Sequence, residues 1–107
     1  MAEAVPLDAP LRALADGNRR AILAVVRDSP RAVGEIAAEM EMSQQAVSHH
    51  LRVLRGAGLV AETRVGTRHL FVVRADGFDV VRQFVEDFWP TRLAALKAAA
   101  EQEARRG

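Results

Sequence analysis

Between Val33 and Val73 the hydrophobic period changes once, and that change restricts the fold more than any other feature of the chain. Val33, Ile36, Ala37 and Met40 fall at i, i+3, i+4 and i+7, the spacing of one helical face. After Glu41-Met42 a second helical stripe follows, made by Val47, Leu51 and Leu54. Ser43 stands where an N-cap hydroxyl accepts from backbone N–H groups two or three residues on. Gly56 and Gly58 end this helix. Alternation of period two then begins. "LVAETRV" and "HLFVVRA" read as strands, joined by a turn at Gly66-Thr67 into a β-hairpin.

The flanks extend the pattern with helices. Leu7, Leu11 and Leu14 follow helical spacing, while the first ten residues are expected to be loose. Asp16 has the position of an N-cap for a helix with the stripe Ile22, Leu23 and Val26. "DSPR" ends that helix, because Pro30 has no N–H for the ladder. Asp76-Gly77 is expected to close the hairpin. A last helix is expected from near Phe78 to about Glu103, kinked or restarted at Pro90. The expected fold is mostly α with a hairpin wing, in the order α-α-α-α-β-β-α. Residues 1–107 are enough for one domain and one core.

Composition excludes several functions. No apolar run approaches the roughly 18 residues of a membrane span, and "MAEAVPLDAP" lacks the basic and apolar regions of a signal peptide. The expected compartment is therefore the cytoplasm. The absence of cysteine removes disulfides, thiolate metal sites and a cysteine nucleophile. The net charge of +1 says little, but its distribution is uneven. From Ser43 to Arg74 five arginines face one acid, Glu62, and all three histidines lie there too. From Ala75 to Thr91 four acids face one arginine, Arg82. A basic strip in a neutral chain points to a polyanion at one face.

Two short helices in tight succession, the second polar outside, make a helix-turn-helix, and the basic hairpin makes a wing. Duplex DNA suits this shape, since the major groove admits one α-helix carrying donors and acceptors to base edges. Gln45, Ser48, His49 and Arg52 lie opposite the apolar stripe, with Gln44 at the helix start. Gln suits adenine, and Ser or His suits a base or a phosphate. Ser43 and the first-turn N–H groups suit a phosphate. At the hairpin tip, Arg64, Thr67 and Arg68 are placed for backbone or minor groove.

The adjacent histidines do not read as a metal pair. Neighbours on a helix are about 100° apart, whereas a zinc pair needs i, i+4. His50 falls on the flank of the buried side and is expected to be structural. No local carboxylate orients these rings, and no serine is spaced as their nucleophile, so an enzyme is not expected.

"ALADGNRRAIL", "VGEIAAEMEMSQQAVSHHLRVLRGAGLV" and "ETRVGTRHLFVV" resemble the successive signatures of the ArsR-type winged-helix regulators, from about Leu11 to Val73. The resemblance implies a homodimeric transcriptional repressor on a two-fold symmetric operator. It places Gln44, Gln45, Ser48, His49 and Arg52 on the recognition helix, and Arg64 and Arg68 on the wing. Three features depart from the family pattern. Glu41 stands in the turn where glycine is frequent, which implies strain or a different turn. Gly17 stands where proline is common. The cysteines and late histidines of the metal-sensing members are missing, so neither metal nor cofactor is expected, and any small-molecule effector is left unassigned. "FVEDFWPTRLAALKAAAE" resembles the tail of members without a recognised metal site.

Phe84, Phe88, Trp89, Leu93 and Leu96 offer more apolar surface than a small domain covers easily. A homodimer interface through the terminal helices is expected, with Leu7, Leu11 and Leu14 on its other side. The competing reading is a winged helix used for protein–protein contact, which has no need of the basic strip from Arg52 to Arg74.

Overall fold

The computed structural model describes residues 7–106, apart from the side chains of residues 89–93. Its elements are α1 (Asp8–Leu14), α2 (Gly17–Asp28), α3 (Val33–Met40), α4 (Gln44–Gly56), β1 (Val60–Val65), β2 (Arg68–Val73) and α5 (Ala75–Arg106). The order matches the sequence reading. The N-terminal end does not, because α1 already begins at Asp8 and buries Pro10. Proline is tolerated there because first-turn N–H groups have no helical acceptor. The remainder of the stretch expected to be loose, residues 1–6, lies outside the described residues.

Asp16 caps α2, its Oδ1 accepting from the N–H groups of Asn18 at 2.8 Å and Arg19 at 3.1 Å. The helix stops at Asp28, and Ser29 is extended before Pro30. Ile22, Leu23 and Val26 form its buried stripe. They meet Ile36 and Ala37 of α3 and Val47, Leu51 and Leu54 of α4 in one core cluster. Ile22, Ile36, Val47, Leu54, Leu59 and Val60 have no exposed surface at all. Burying a side chain of this size contributes about 1.5–3 kcal/mol, so these helices are held by packing rather than by propensity.

The turn between α3 and α4 turns on one strained residue. Glu41 sits in the left-handed region, φ 56 and ψ 46, and is the one non-glycine residue with positive φ among those described. The Met42 N–H donates to the Ala37 carbonyl at 3.0 Å and the Glu41 N–H to the Ala38 carbonyl at 3.3 Å. That bond pair is a Schellman ending, which usually takes glycine. Glu41 therefore fills the conformation glycine would fill, with a Cβ that crowds the backbone.

The hairpin is antiparallel, with Val60 opposite Val73 and Val65 opposite Arg68. Gly66 has φ 64 while Thr67 does not turn positive, the pattern of a two-residue type II′ turn. On its outer edge β2 gains a short partner the sequence did not show. Phe71 and Arg31 exchange both backbone hydrogen bonds, at 2.8 and 3.2 Å, which ties the wing to the α2–α3 connection.

The last helix differs from expectation in three ways. It begins at Ala75, so Asp76 and Gly77 belong to its first turn and do not close the hairpin. Gly77 is there for space: a Cβ would lie 2.5 Å from the Ala57 carbonyl oxygen and 2.7 Å from Leu59 Cδ2. Its N–H donates to the Gly58 carbonyl at 2.9 Å, so α5 starts pressed against the α4–β1 turn. The helix then runs to Arg106 without a break at Pro90. Proline removes one ladder bond, and the alanine-rich turns beyond it are good helix formers. A helix of 32 residues reaches about 48 Å, at about 1.5 Å per residue. The radius of gyration is accordingly 19.2 Å, against about 13 Å for a compact chain of this length.

Arg19 joins three helices. Its Nε donates to the Ala13 carbonyl at 2.8 Å and its Nη2 to the Arg12 carbonyl at 3.3 Å, while Nη1 lies 3.3 Å from His50 Nδ1. An arginine only donates, so Nδ1 accepts. Arg20 satisfies the Leu14 carbonyl at 2.8 Å. Two arginines of α2 thus take up the open carbonyls at the end of α1.

Two outcomes follow from these contacts. Glu41→Gly is expected to stabilise the protein by about 0.5–1 kcal/mol, the relief of left-handed strain less the entropy glycine gives the unfolded chain. An unchanged or lower urea midpoint would mean that Glu41 carries no strain. Arg19→Met keeps the apolar stem and removes the guanidinium, whose side chain is only 14% exposed. The expected loss is about 2 kcal/mol; a loss below about 0.5 kcal/mol in the same unfolding assay would show the clasp to be idle.

Candidate nucleic-acid interface

Because Val47, Leu51 and Leu54 are buried, helical geometry sends Gln45, His49 and Arg52 outward, and all three are exposed. Gln45 and Arg52 have no side-chain partner among the described residues, and neither does Arg64. The contact His49 makes is with the ring of His50, centroid to centroid 5.6 Å. An outward cationic and amide surface without internal partners can bond an external polyanion at no cost in broken contacts.

The other residues expected on this face are placed differently. Ser48 is half-buried on its flank. Ser43 Oγ accepts from the Ala46 N–H at 3.0 Å, so its acceptor role is taken by the cap and its hydroxyl proton remains to donate. The Gln44 side chain lies over α3, its Nε2 3.3 Å from where a Cβ on Gly34 would stand. His50 is half-buried against Arg19, the structural place expected of it.

The two wing arginines are not equivalent. Residues opposite one another in an antiparallel pair share a face, so Arg64 and His69 lie on one side and Val65 and Arg68 on the other. Leu70, two residues from Arg68, is buried on the same side of the hairpin, and there β2 packs against α3. There Arg68 Nη2 pairs with Glu35 Oε2 at 2.9 Å. Glu35 Oε1 accepts from the Ala32 N–H at 2.9 Å, closing the start of α3. The Ala32 amide foremost, and then Arg68, hold the Glu35 carboxyl below its usual pKa. On the opposite side Glu62 pairs with Arg55 at 3.1 Å and with His69 Nδ1 at 2.8 Å, joining the end of α4 to both strands. Arg64 and Thr67 stay exposed and unpartnered at the tip.

The terminal helices show an apolar surface. Phe88 is 62% exposed and Leu96 56%, and Phe84 meets Phe88 edge to face at 5.1 Å. Leu11 is also exposed, whereas Leu7 is half-buried and Leu14 packs on the core. The side chains of Trp89 and Leu93 lie outside those described. Among the described residues no group of three His, Cys, Asp or Glu side chains is placed to hold a metal, and no helix is long and apolar enough to cross a membrane.

Sequence reasoning missed Arg19, Arg31 and Glu35. Arg19 reaches carbonyls across the α1–α2 turn and the distant His50 ring, and Arg31 exchanges backbone bonds with the distant Phe71, none of which leaves a local signature. Glu35 had a faint one, since a glutamate three residues after a helix start is half of a capping box, but Ala32 lacks the hydroxyl that completes it.

The profile described as "Bacterial regulatory protein, arsR family" matches residues 16–62. Over 96 residues the chain is 38% identical to the HTH-type transcriptional regulator Rv2034 of Mycobacterium tuberculosis, covering 90% of each protein. Among solved structures, an ArsR-like transcriptional regulator from Rhodococcus sp. RHA1 superposes with a TM-score of 0.74 at 28% identity, over 91% of this chain and 92% of that one. A fragment of Mb0332 from Mycobacterium bovis, described as a homodimeric winged helix-turn-helix DNA-binding domain of a possible ArsR-family regulator, gives 0.63 at 29% identity, over 95% and 84%. The α3–α4 pair and the hairpin are the winged helix-turn-helix of these proteins, and the chain belongs to the arsR family of bacterial regulatory proteins.

Proposed function

We propose that the whole chain acts as one DNA-binding unit in the cytoplasm, a homodimeric repressor on an operator with two-fold symmetry. The observation that carries this is the unpartnered outward surface of Gln45 and Arg52 on α4 together with Arg64 on the wing. In this reading α4 enters the major groove. Gln45 bonds an adenine edge, and Arg52 and His49 bond guanine or phosphate. Gln44 and Ser48 border that contact, and Ser43 donates its hydroxyl to a phosphate beside the helix N-terminus. Arg64, Thr67 and Arg68 approach the neighbouring backbone or minor groove.

A second copy covers the apolar face of α5. Phe84, Phe88 and Leu96 are exposed in a single chain, and an apolar surface of that kind marks an interface. Trp89 and Leu93 are the further α5 positions proposed for this contact, with Leu7, Leu11 and Leu14 from α1 and its approach on the other side. The regulators resembling this chain support the reading, one of them described as a homodimeric DNA-binding domain. Two copies related by a two-fold axis then present two α4 helices to successive major grooves.

Competition binding across a salt series separates reading from holding. Gln45→Ala is expected to cost roughly 1–3 kcal/mol on the operator and little on scrambled duplex. Arg64→Ala is expected to weaken both and to lower the slope of log K against log salt by about one unit per protomer. Equal losses on both duplexes for Gln45→Ala would show that α4 is not the reader. Wild-type protein without salt-dependent retention on duplex DNA would favour a protein–protein module instead. For the dimer, Phe88→Glu is expected to give monomer in light scattering at micromolar concentration, since a charge in an apolar contact is costly to bury; wild-type protein already monomeric there would contradict the interface.

A further inference from the structure

Of the two wing-tip arginines, Arg68 already has a carboxylate partner, and that partner belongs to the other half of the motif. The base of the wing is fixed by backbone, through the Phe71–Arg31 hydrogen bonds. The tip is tied to α3 by a side-chain ion pair, Arg68 to Glu35. We infer that Glu35 is an internal competitor for phosphate: it holds Arg68 in the free protein, gives it up to the DNA backbone on binding, and so sets how tightly the wing grips any duplex. This rests on the DNA-binding reading above.

Three observations support the exchange. Both side chains are about half exposed, 55% for Arg68 and 48% for Glu35, so a phosphate can reach the guanidinium without unfolding anything. An ion pair this exposed is weak, whereas a phosphate on polyanionic DNA gains from counterion release as well. Glu35 is also held in place whatever Arg68 does, because its other oxygen accepts from the Ala32 N–H. Its carboxylate therefore stays at the wing–α3 junction when Arg68 leaves. Arg64, on the opposite face and unpartnered, carries no such restraint.

Glu35→Gln tests this cleanly. The amide oxygen still accepts from Ala32, so the helix start is kept, and only the charge is lost. Binding to a random 24-base-pair duplex is measured by fluorescence anisotropy in wild type, Glu35→Gln, Arg68→Ala and the double variant. Glu35→Gln is expected to tighten binding about two- to five-fold per protomer, with little or no gain once Arg68 is alanine. An equal gain in both backgrounds would make Glu35 a mere background charge and overturn the competition. Weaker binding by Glu35→Gln would overturn it too, by showing that Glu35 aims Arg68 at the DNA. A DNA-free arm follows the Glu35 carboxyl by carbon-13 NMR, where Arg68→Ala is expected to move its titration upward. No movement would mean the pair does not form in solution, whatever the DNA result. Absence of salt-dependent duplex binding by wild type would overturn the inference together with the reading it rests on, while the NMR arm would still report the pair.

Discussion

Everything that α4 can offer to a partner depends on one buried seam. Val47, Leu51 and Leu54 are 0, 2 and 0% exposed, locked against Ile22 of α2 and Ile36 of α3. A helix pinned along one edge has no freedom to rotate, so its opposite face is fixed with it. That is how an apolar stripe determines the position of Gln45, His49 and Arg52 without touching them. Ser43 closes one end of the helix, His50 leans on Arg19 along its flank, and the Arg55–Glu62 pair ties its far end to β1. A truncation of Leu51 or Leu54 would leave a cavity under this helix and loosen the whole outward face, a cost of about 2–5 kcal/mol.

Charge is sorted over the molecule in a way that complements this geometry. On α4 and the wing tip, Arg52 and Arg64 have no side-chain partner among the described residues. The acids of the α5 start are matched locally, Asp79 and Glu86 with Arg82, and Asp76 with Arg74. Such exposed pairs contribute little stability, but they keep that part of α5 from presenting a bare acidic field. The wing sits between the two regimes. Glu62 and Glu35, one on each side of the hairpin, engage His69, Arg55 and Arg68 and leave Arg64 open.

The helices and the hairpin were legible because each has a hydrophobic period and a chemical stop. Asp16 and Ser43 cap as their side chains dictate, and Pro30 and the Gly66 turn fall where expected. What misled was residue chemistry with two meanings. Asp76-Gly77 has the composition of a turn, yet the glycine serves a close crossing, which only the three-dimensional position of Ala57 and Leu59 reveals. Pro90 has the composition of a kink, yet a long helix absorbs one missing ladder bond. Glu41 shows the converse: the family pattern flagged a missing glycine, and the backbone kept the left-handed turn and accepted the strain. In the interface, the outward residues of α4 were readable from helix geometry alone. The Arg68–Glu35 pair was not, since it joins residues 33 positions apart in sequence that meet only when the wing folds onto α3.

In the proposed homodimer, two copies of this outward face engage DNA about a shared axis. Selecting fragments of host genomic DNA with the purified protein and sequencing what is retained tests it directly. Enriched fragments are expected to share an inverted repeat, with half-site centres spaced by whole turns of the duplex, about 10–10.5 base pairs or a multiple. Retained DNA without enrichment over the input, or an enriched sequence with no two-fold symmetry, would contradict it.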